Sequence, residues 1–186
     1  MNKKLLTKTL IASALVLTTV GSGFHSASNY NGINNVAKAS EIKDNQLWKK
    51  VRDSLKDANI IDKTDNETIE VKYKTKNGAE GNISGTASLN ELGSSNNAEI
   101  DSYGVSRIDI KRVNPKSNST DANSIWKKLV DSLKDKELVK EGAKVSIYSK
   151  DKDDGVITGN VGNTDSNAQS RLINTKDITH ITIENN

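Results

Sequence analysis

Leu47 to Asp62 reads LWKKVRDSLKDANIID, and Ile125 to Lys140 reads IWKKLVDSLKDKELVK. Set 78 positions apart, eight of the sixteen positions are identical, among them Trp48/Trp126, Asp53/Asp131 and Leu55/Leu133. Four of the other eight exchange one apolar residue for another. Identity at this density marks a tandem duplication, and a repeat governs every later assignment. The match runs on beyond this stretch. GNISG at 81–85 matches GVITG at 155–159, and VSRIDI at 105–110 matches ITHITI at 178–183.

Leu47, Trp48, Val51, Leu55 and Ala58 share one side of a helix with a period of three to four residues. Ile125, Trp126, Leu129, Val130 and Leu133 do the same in the second copy. Asp44 or Asn45 can cap the first helix; Thr120, Asp121 or Asn123 can cap the second. Lys49, Lys50, Arg52, Asp53, Lys56 and Asp57 fall on the other, solvated side, with Lys49 and Asp53 spaced as an i,i+4 ion pair. After each helix the period drops to two. Ile69, Val71 and Tyr73 alternate with Glu70, Lys72 and Lys74, and Lys76-Asn77-Gly78 supplies the positive φ of a hairpin turn. Further strands are expected at Glu80–Thr86 and Val105–Val113. In the second copy they are expected near Lys144–Ser149, Gly155–Val161 and Ile178–Ile183, with Asp151–Gly155 as the turn. Ser88–Asn97 and Asn163–Ser170 read as polar loops.

The expected fold class is therefore α+β: two tandem αβββ, β-grasp-like repeats, each with one helix packed on a small antiparallel or mixed sheet. The expected organisation is a signal peptide at 1–39, repeat 1 at 40–114, a linker at 115–121 and repeat 2 at 122–186. There is no cysteine, so stability must come from a core and not from disulfides. Halves of about 70 residues are marginal alone, so the repeats are expected to pack on each other.

Lys3, Lys4 and Lys8 precede an apolar run, Thr9–Val20, that suits a signal peptide and is too short for a membrane span. Ala37-Lys38-Ala39 offers a cleavage site, with Ser26-Ala27-Ser28 as the alternative. A secreted, extracellular chain with no membrane span is expected. Its first 39 residues hold four lysines and no acids, so the remainder carries 23 basic and 24 acidic residues. The positive net charge of the whole chain belongs to the leader, which argues against nucleic acid as a partner.

Helix, charged hairpin and the closing stretch Arg171–Ile183 (RLINTKDITHITI) together resemble the repeat of the staphylococcal extracellular adherence protein family, the MHC class II analogue proteins. The resemblance is clearest over Ile125–Ile183 and weaker over Leu47–Ile110. It implies a β-grasp-like fold, no catalysis, and binding to host proteins, either neutrophil serine proteases or matrix and plasma proteins. The family repeat has a strand pair before its helix, where this chain has only a short polar segment. That departure leaves a second reading, in which two incomplete units complete one another.

Beyond residue 39 the only histidine is His180, which aligns with Arg107 of the first repeat and alternates with Ile181 and Ile183. Both residues should point away from the core and serve as contact residues; a serine triad could be built only on His180. Asp151, Asp153 and Asp154 lack the ligand spacing and flanking helices of a calcium loop and read as a solvated turn. No metal, no cofactor and no catalytic residue is expected. Trp48 and Trp126 read as core or inter-repeat packing, with an exposed binding anchor as the alternative. Lys49, Lys50, Lys127 and Lys128 form matched basic pairs, either a solvated face or a grip on an acidic partner. The expected function is a secreted, non-enzymatic, virulence-associated binding protein. A host protein is its partner, through protease inhibition, adhesion or immune evasion. Its candidate contact residues are Lys49, Lys50, Lys127, Lys128, Arg107 and His180. The alternative is an envelope or matrix adhesin that holds polyanions through the paired lysines.

Overall fold

The computed structural model describes residues 42–185, apart from 63, 65, 94–98, 114 and 117. The expected signal peptide and its cleavage sites lie outside the described residues, as do Asn114 and positions 94–97 of the first polar loop.

Two helices and eight strands are formed among the described residues. In order they are α1 (Asp44–Asp57), β1 (Glu67–Thr75), β2 (Glu80–Thr86), β3 (Ile100–Arg112), β4 (Ser119–Asp121), α2 (Ala122–Asp135), β5 (Lys144–Ser149), β6 (Val156–Asn160), β7 (Leu172–Asn174) and β8 (Ile178–Glu184). A 3-10 turn, Thr175–Asp177, leads into β8. Lys43 takes the N-cap of α1, its N–H donating to Gln46 Oε1 at 3.2 Å, so Asp44 lies in the first turn and is no cap. An acid there still suits the positive end of the helix dipole. At α2 the cap is Asp121, whose carboxylate accepts from Ser124 N–H at 2.7 Å. Both helices end alike. Asn59 (φ 56°) and Glu137 (φ 59°) adopt the left-handed conformation. The next N–H then reaches back, from Ile60 to Leu55 O and from Leu138 to Leu133 O, each at 2.9 Å, which satisfies carbonyls the helix leaves open.

The apolar stripes of the helices meet the apolar pleat of the strands. Trp48, Val51 and Leu55 of α1, and Trp126, Leu129 and Leu133 of α2, are essentially inaccessible, as are Ile69, Val71, Ile108, Val145, Ile147, Ile157 and Ile181 of the sheet. Each large apolar side chain buried so completely contributes roughly 1.5–3 kcal/mol. The indoles keep their polar handles satisfied: Trp48 Nε1 donates to Ile69 O at 3.4 Å and Trp126 Nε1 to Val145 O at 3.0 Å. Both tryptophans are core, and neither is a binding anchor. Arg52 corrects its assignment to the solvated side. It is 4% exposed, lies 5.5 Å from the Trp48 ring centre, and donates to Asp53 and to Leu89 O. A guanidinium over an indole is favourable and its stem adds apolar cover.

The sheet overturns the expected fold class. There are not two tandem β-grasp-like repeats with a small sheet each. There is one six-stranded antiparallel sheet, in the order β2-β1-β3-β8-β5-β6, with a separate two-stranded sheet of β4 and β7. The join is the antiparallel pairing of β3 with β8, Arg107 opposite Thr182, Ile108 opposite Ile181 and Asp109 opposite His180. Kept apart, each half would expose β3 or β8 as an edge with unpaired N–H and C=O groups; pairing the two edges removes both. Ser119–Asp121, inside the segment read as a linker, is a strand that pairs with 172–174. The helices lie against each other on one face of the sheet, Ser132 Oγ donating to Asp57 Oδ2 at 2.7 Å and Lys136 Nζ meeting the same oxygen at 2.8 Å.

Candidate functional site: the face of the sheet away from the helices

Pleat alternation assigns the second face. Thr68, Glu70, Lys72 and Lys74 of β1 alternate with the buried Ile69, Val71 and Tyr73. Cross-strand register extends that face through Arg107, Asp109 and Lys111 of β3, then His180, Thr182 and Glu184 of β8. Lys144, Ser146 and Tyr148 of β5 and their β6 partners complete it. Of these residues and their β2 and β6 neighbours, only Ser146 is buried, its hydroxyl bonded to that of Thr158 at 2.8 Å.

A local twofold relation passes through the Ile108–Ile181 pair, because the matched segments 105–110 and 178–183 run antiparallel about it. Arg107 is thereby the counterpart of His180, Asp109 of Thr182, and Lys72 of Tyr148. The two halves fill these equivalent places with different chemistry. On the first side Arg107 Nε donates to Asp109 Oδ1 at 2.8 Å, and Lys72 Nζ lies 3.4 Å from the other carboxylate oxygen. On the second side the Tyr148 and His180 rings stack, 4.3 Å between centres and 8° between planes. Thr179 Oγ1 lies 3.1 Å from His180 Nδ1 and also donates to Tyr148 O at 3.3 Å. A cleft of about 560 Å³ lies beside Arg107, lined also by Lys72, Asn82, Ser106 and Thr182. Partial burial holds the His180 imidazole below its ordinary pKa; the nearby Arg107 charge pushes the same way and Asp109 opposes both.

Arg107 and His180 are therefore brought together, diagonally across the β3–β8 join. The lysine pairs do not join them, since they sit on the helices across the sheet. Lys49 pairs with Asp53 at 2.9 Å, and Lys50 Nζ donates to Lys136 O at 3.0 Å, at the negative end of α2. Lys127 and Lys128 are exposed, and Lys128 lines a separate cleft of about 300 Å³ with Asn59, Asp62, Asn118 and Thr120. The acidic turn at 151–155 uses its own carboxylates: Asp151 accepts from Asp153 N–H at 3.0 Å and Asp154 from Ser149 Oγ at 3.1 Å.

Sequence reasoning missed a buried ionic cluster at the end of β1. Glu67 meets Arg112 at 2.9 Å and Lys176 at 3.2 Å; Lys176 meets Asp62 at 2.7 Å, and Arg112 also donates to Ile60 O at 2.8 Å and to Ile178 O. Its one signal in the sequence is that Glu67, Arg112 and Lys176 have no charged counterpart in the other repeat, where Ala143, Asn185 and Tyr103 stand. No helix among the described residues is long and apolar enough to cross a membrane. No curated protein matches this sequence. Across residues 43–183, which take in both helices and all of the six-stranded sheet but its last residue, Glu184, the chain belongs to the family described as Domain of unknown function (DUF4888).

Proposed function

We propose that this chain is a secreted binding protein, without catalysis of its own, that engages a host protein through the face of the sheet away from the helices. The observation that carries the reading is the meeting, at the centre of that face, of the Arg107–Asp109–Lys72 ion set with the Tyr148–His180 stack. Arginine and aromatic side chains dominate the energetics of protein interfaces because they bring large contact area together with directional polar groups. A sheet holds them on a rigid backbone, which lowers the ordering cost of association. The leader-like residues 1–39 support export. The resemblance to the extracellular adherence repeats supports a host protein, a protease or a plasma or matrix component, as the partner class.

The test is capture from plasma and neutrophil granule extract with the purified chain and two double variants. Arg107→Glu with Tyr148→Ala should abolish a saturable protein partner, and Lys127→Glu with Lys128→Glu should leave it bound. The opposite pattern, with only acidic species retained and those released by moderate salt, would replace this reading by the polyanion adhesin.

A further inference from the structure

We propose that two copies of this chain associate edge to edge through β2, so that two six-stranded sheets become one continuous sheet. The sheet ends in β2 on one side and β6 on the other. A bare edge presents a row of unpaired N–H and C=O groups. The two edges are treated differently. Along β6, Asn167 acts as a surrogate strand: its N–H donates to Thr158 O at 2.8 Å, its Oδ1 accepts from Thr158 N–H at 2.9 Å, and its Nδ2 donates to Val156 O at 3.0 Å. Along β2, the bonds Ala87 N–H to Glu67 O and Thr75 N–H to Ala79 O, each 2.8 Å, set the parity of the ladder. Ile83 and its glycine neighbours turn their backbone groups toward β1, while Asn82 and Ser84 turn theirs outward. Among the described residues nothing bonds to those outward groups. Thr86 O is already taken by Leu89 N–H at 3.1 Å. Ser84 is the repeat counterpart of Thr158, so like is compared with like.

The strand is complementary to itself. In an antiparallel pair centred on Ile83, Asn82 of each copy stands opposite Ser84 of the other, and such outward-facing pairs exchange both of their backbone bonds. Glu80, the single charge of β2, falls opposite Thr86 of the second copy and not opposite its own kind. The strand carries neither lysine nor proline, the residues that commonly guard an edge. On the helix side Ile83 meets Ile83 across the axis. That residue is only half-buried in the single chain, whereas its counterpart Ile157 is wholly buried.

Sedimentation equilibrium of the purified chain, from low micromolar to near-millimolar concentration, should show a monomer–dimer equilibrium. Ser84→Pro should give monomer throughout with the fold intact, because the Ser84 N–H takes no part in the β1 ladder and proline is tolerated where an edge N–H faces outward. The chain has no cysteine, so Ile83→Cys reports on the axis directly. The close spacing of a non-hydrogen-bonded pair, about 4.5 Å between Cα atoms, suits a disulfide, and mild oxidation should give covalent dimer faster than with Lys74→Cys on the far face. Monomer at every concentration, a dimer indifferent to Ser84→Pro, or equal cross-linking rates for the two cysteine variants would each overturn the proposal.

Discussion

At Trp48 the indole N–H reaches Ile69 O and the ring lies against Gly85; at Trp126 it reaches Val145 O and the ring lies against Gly159. A few residues away the two halves part company. Ala87 N–H donates to Glu67 O and Val161 N–H to Ala143 O, both at 2.8 Å, so Glu67 and Ala143 occupy equivalent places. Glu67 is the centre of a buried ionic cluster. Ala143 is simply buried, and near it Asn185 makes neutral contacts, accepting from Lys140 N–H at 3.3 Å and donating to Tyr103 O at 2.8 Å. Each helix needs a seat for its own tryptophan, so the seat occurs twice. The cluster draws Lys176 and the Ile178 carbonyl, from the second half, onto Glu67 and Arg112 of the first, and a fastener between halves is needed only once.

The sharpest way to break this comparison is to remove one partner of the fastener. Glu67→Ala leaves Arg112 buried without a carboxylate and Lys176 with Asp62 alone, and should cost about 3–5 kcal/mol by urea unfolding. Adding Arg112→Met and Lys176→Met, which leaves the exposed Asp62 as the one charge of the cluster, should recover most of the loss. A triple variant no more stable than the single one would show that the charges themselves are required.

The seats come next. A Cβ at Gly159 would stand 2.6 Å from Trp126 Cζ2, with the rest of the ring close behind. At Gly85 the nearest atom, also 2.6 Å away, is the movable end of Leu92, and Trp48 Cζ2 is at 2.8 Å. Gly159→Ala should therefore cost about 1–3 kcal/mol, as overpacking does, and Gly85→Ala measurably less. Equal losses in thermal unfolding would mean that the two seats are equally tight.

The helix starts differ by a smaller amount. Asp121→Ala removes a side-chain cap and should cost about 1 kcal/mol. Lys43 contributes no side-chain acceptor to the first turn of α1, so Lys43→Ala should be near neutral and Lys43→Asp stabilising. Denaturant midpoints of the three variants would check the order.

The smallest effect is a titration. His180 should protonate below the ordinary imidazole pKa of about 6.5, as read from its ring signals by NMR. Arg107→Gln should raise the midpoint and Asp109→Asn should lower it further. Because the folded value is the lower one, stability is unaffected above the unfolded pKa and declines as pH falls through it toward the folded value. A midpoint that ignores both substitutions would detach His180 from the ion set across the β3–β8 join.

The duplication, the two amphipathic helices, the burial of Trp48 and Trp126 and the hairpin turn at Asn77-Gly78 could all be read from residue order. Each rests on a period of three to four, a period of two, or the φ that one residue type favours, and these are local properties of the chain. Arg52 misled that reading because a charged residue on the polar side of a helix can fold its stem over a neighbouring ring, here Trp48. The short strands at 119–121 and 172–174 left no signal because neither is long enough to show an alternation. Arg107 and His180 were legible as outward-facing residues of matched strands. Their partners Lys72, Asp109 and Tyr148 were not, since which side chains meet depends on register across strands remote in sequence.

The expectation of a separate sheet for each repeat failed for the same reason. Backbone N–H and C=O groups are alike whatever side chains they carry, so the order of residues says that β3 and β8 are strands without saying that each is the other's neighbour. Folding settles it, because unpaired edges and a half-covered apolar face are unfavourable, and the antiparallel join through Ile108 and Ile181 removes both at once. That one pairing creates the single sheet, sets Arg107 beside His180, and leaves β2 as an outer edge.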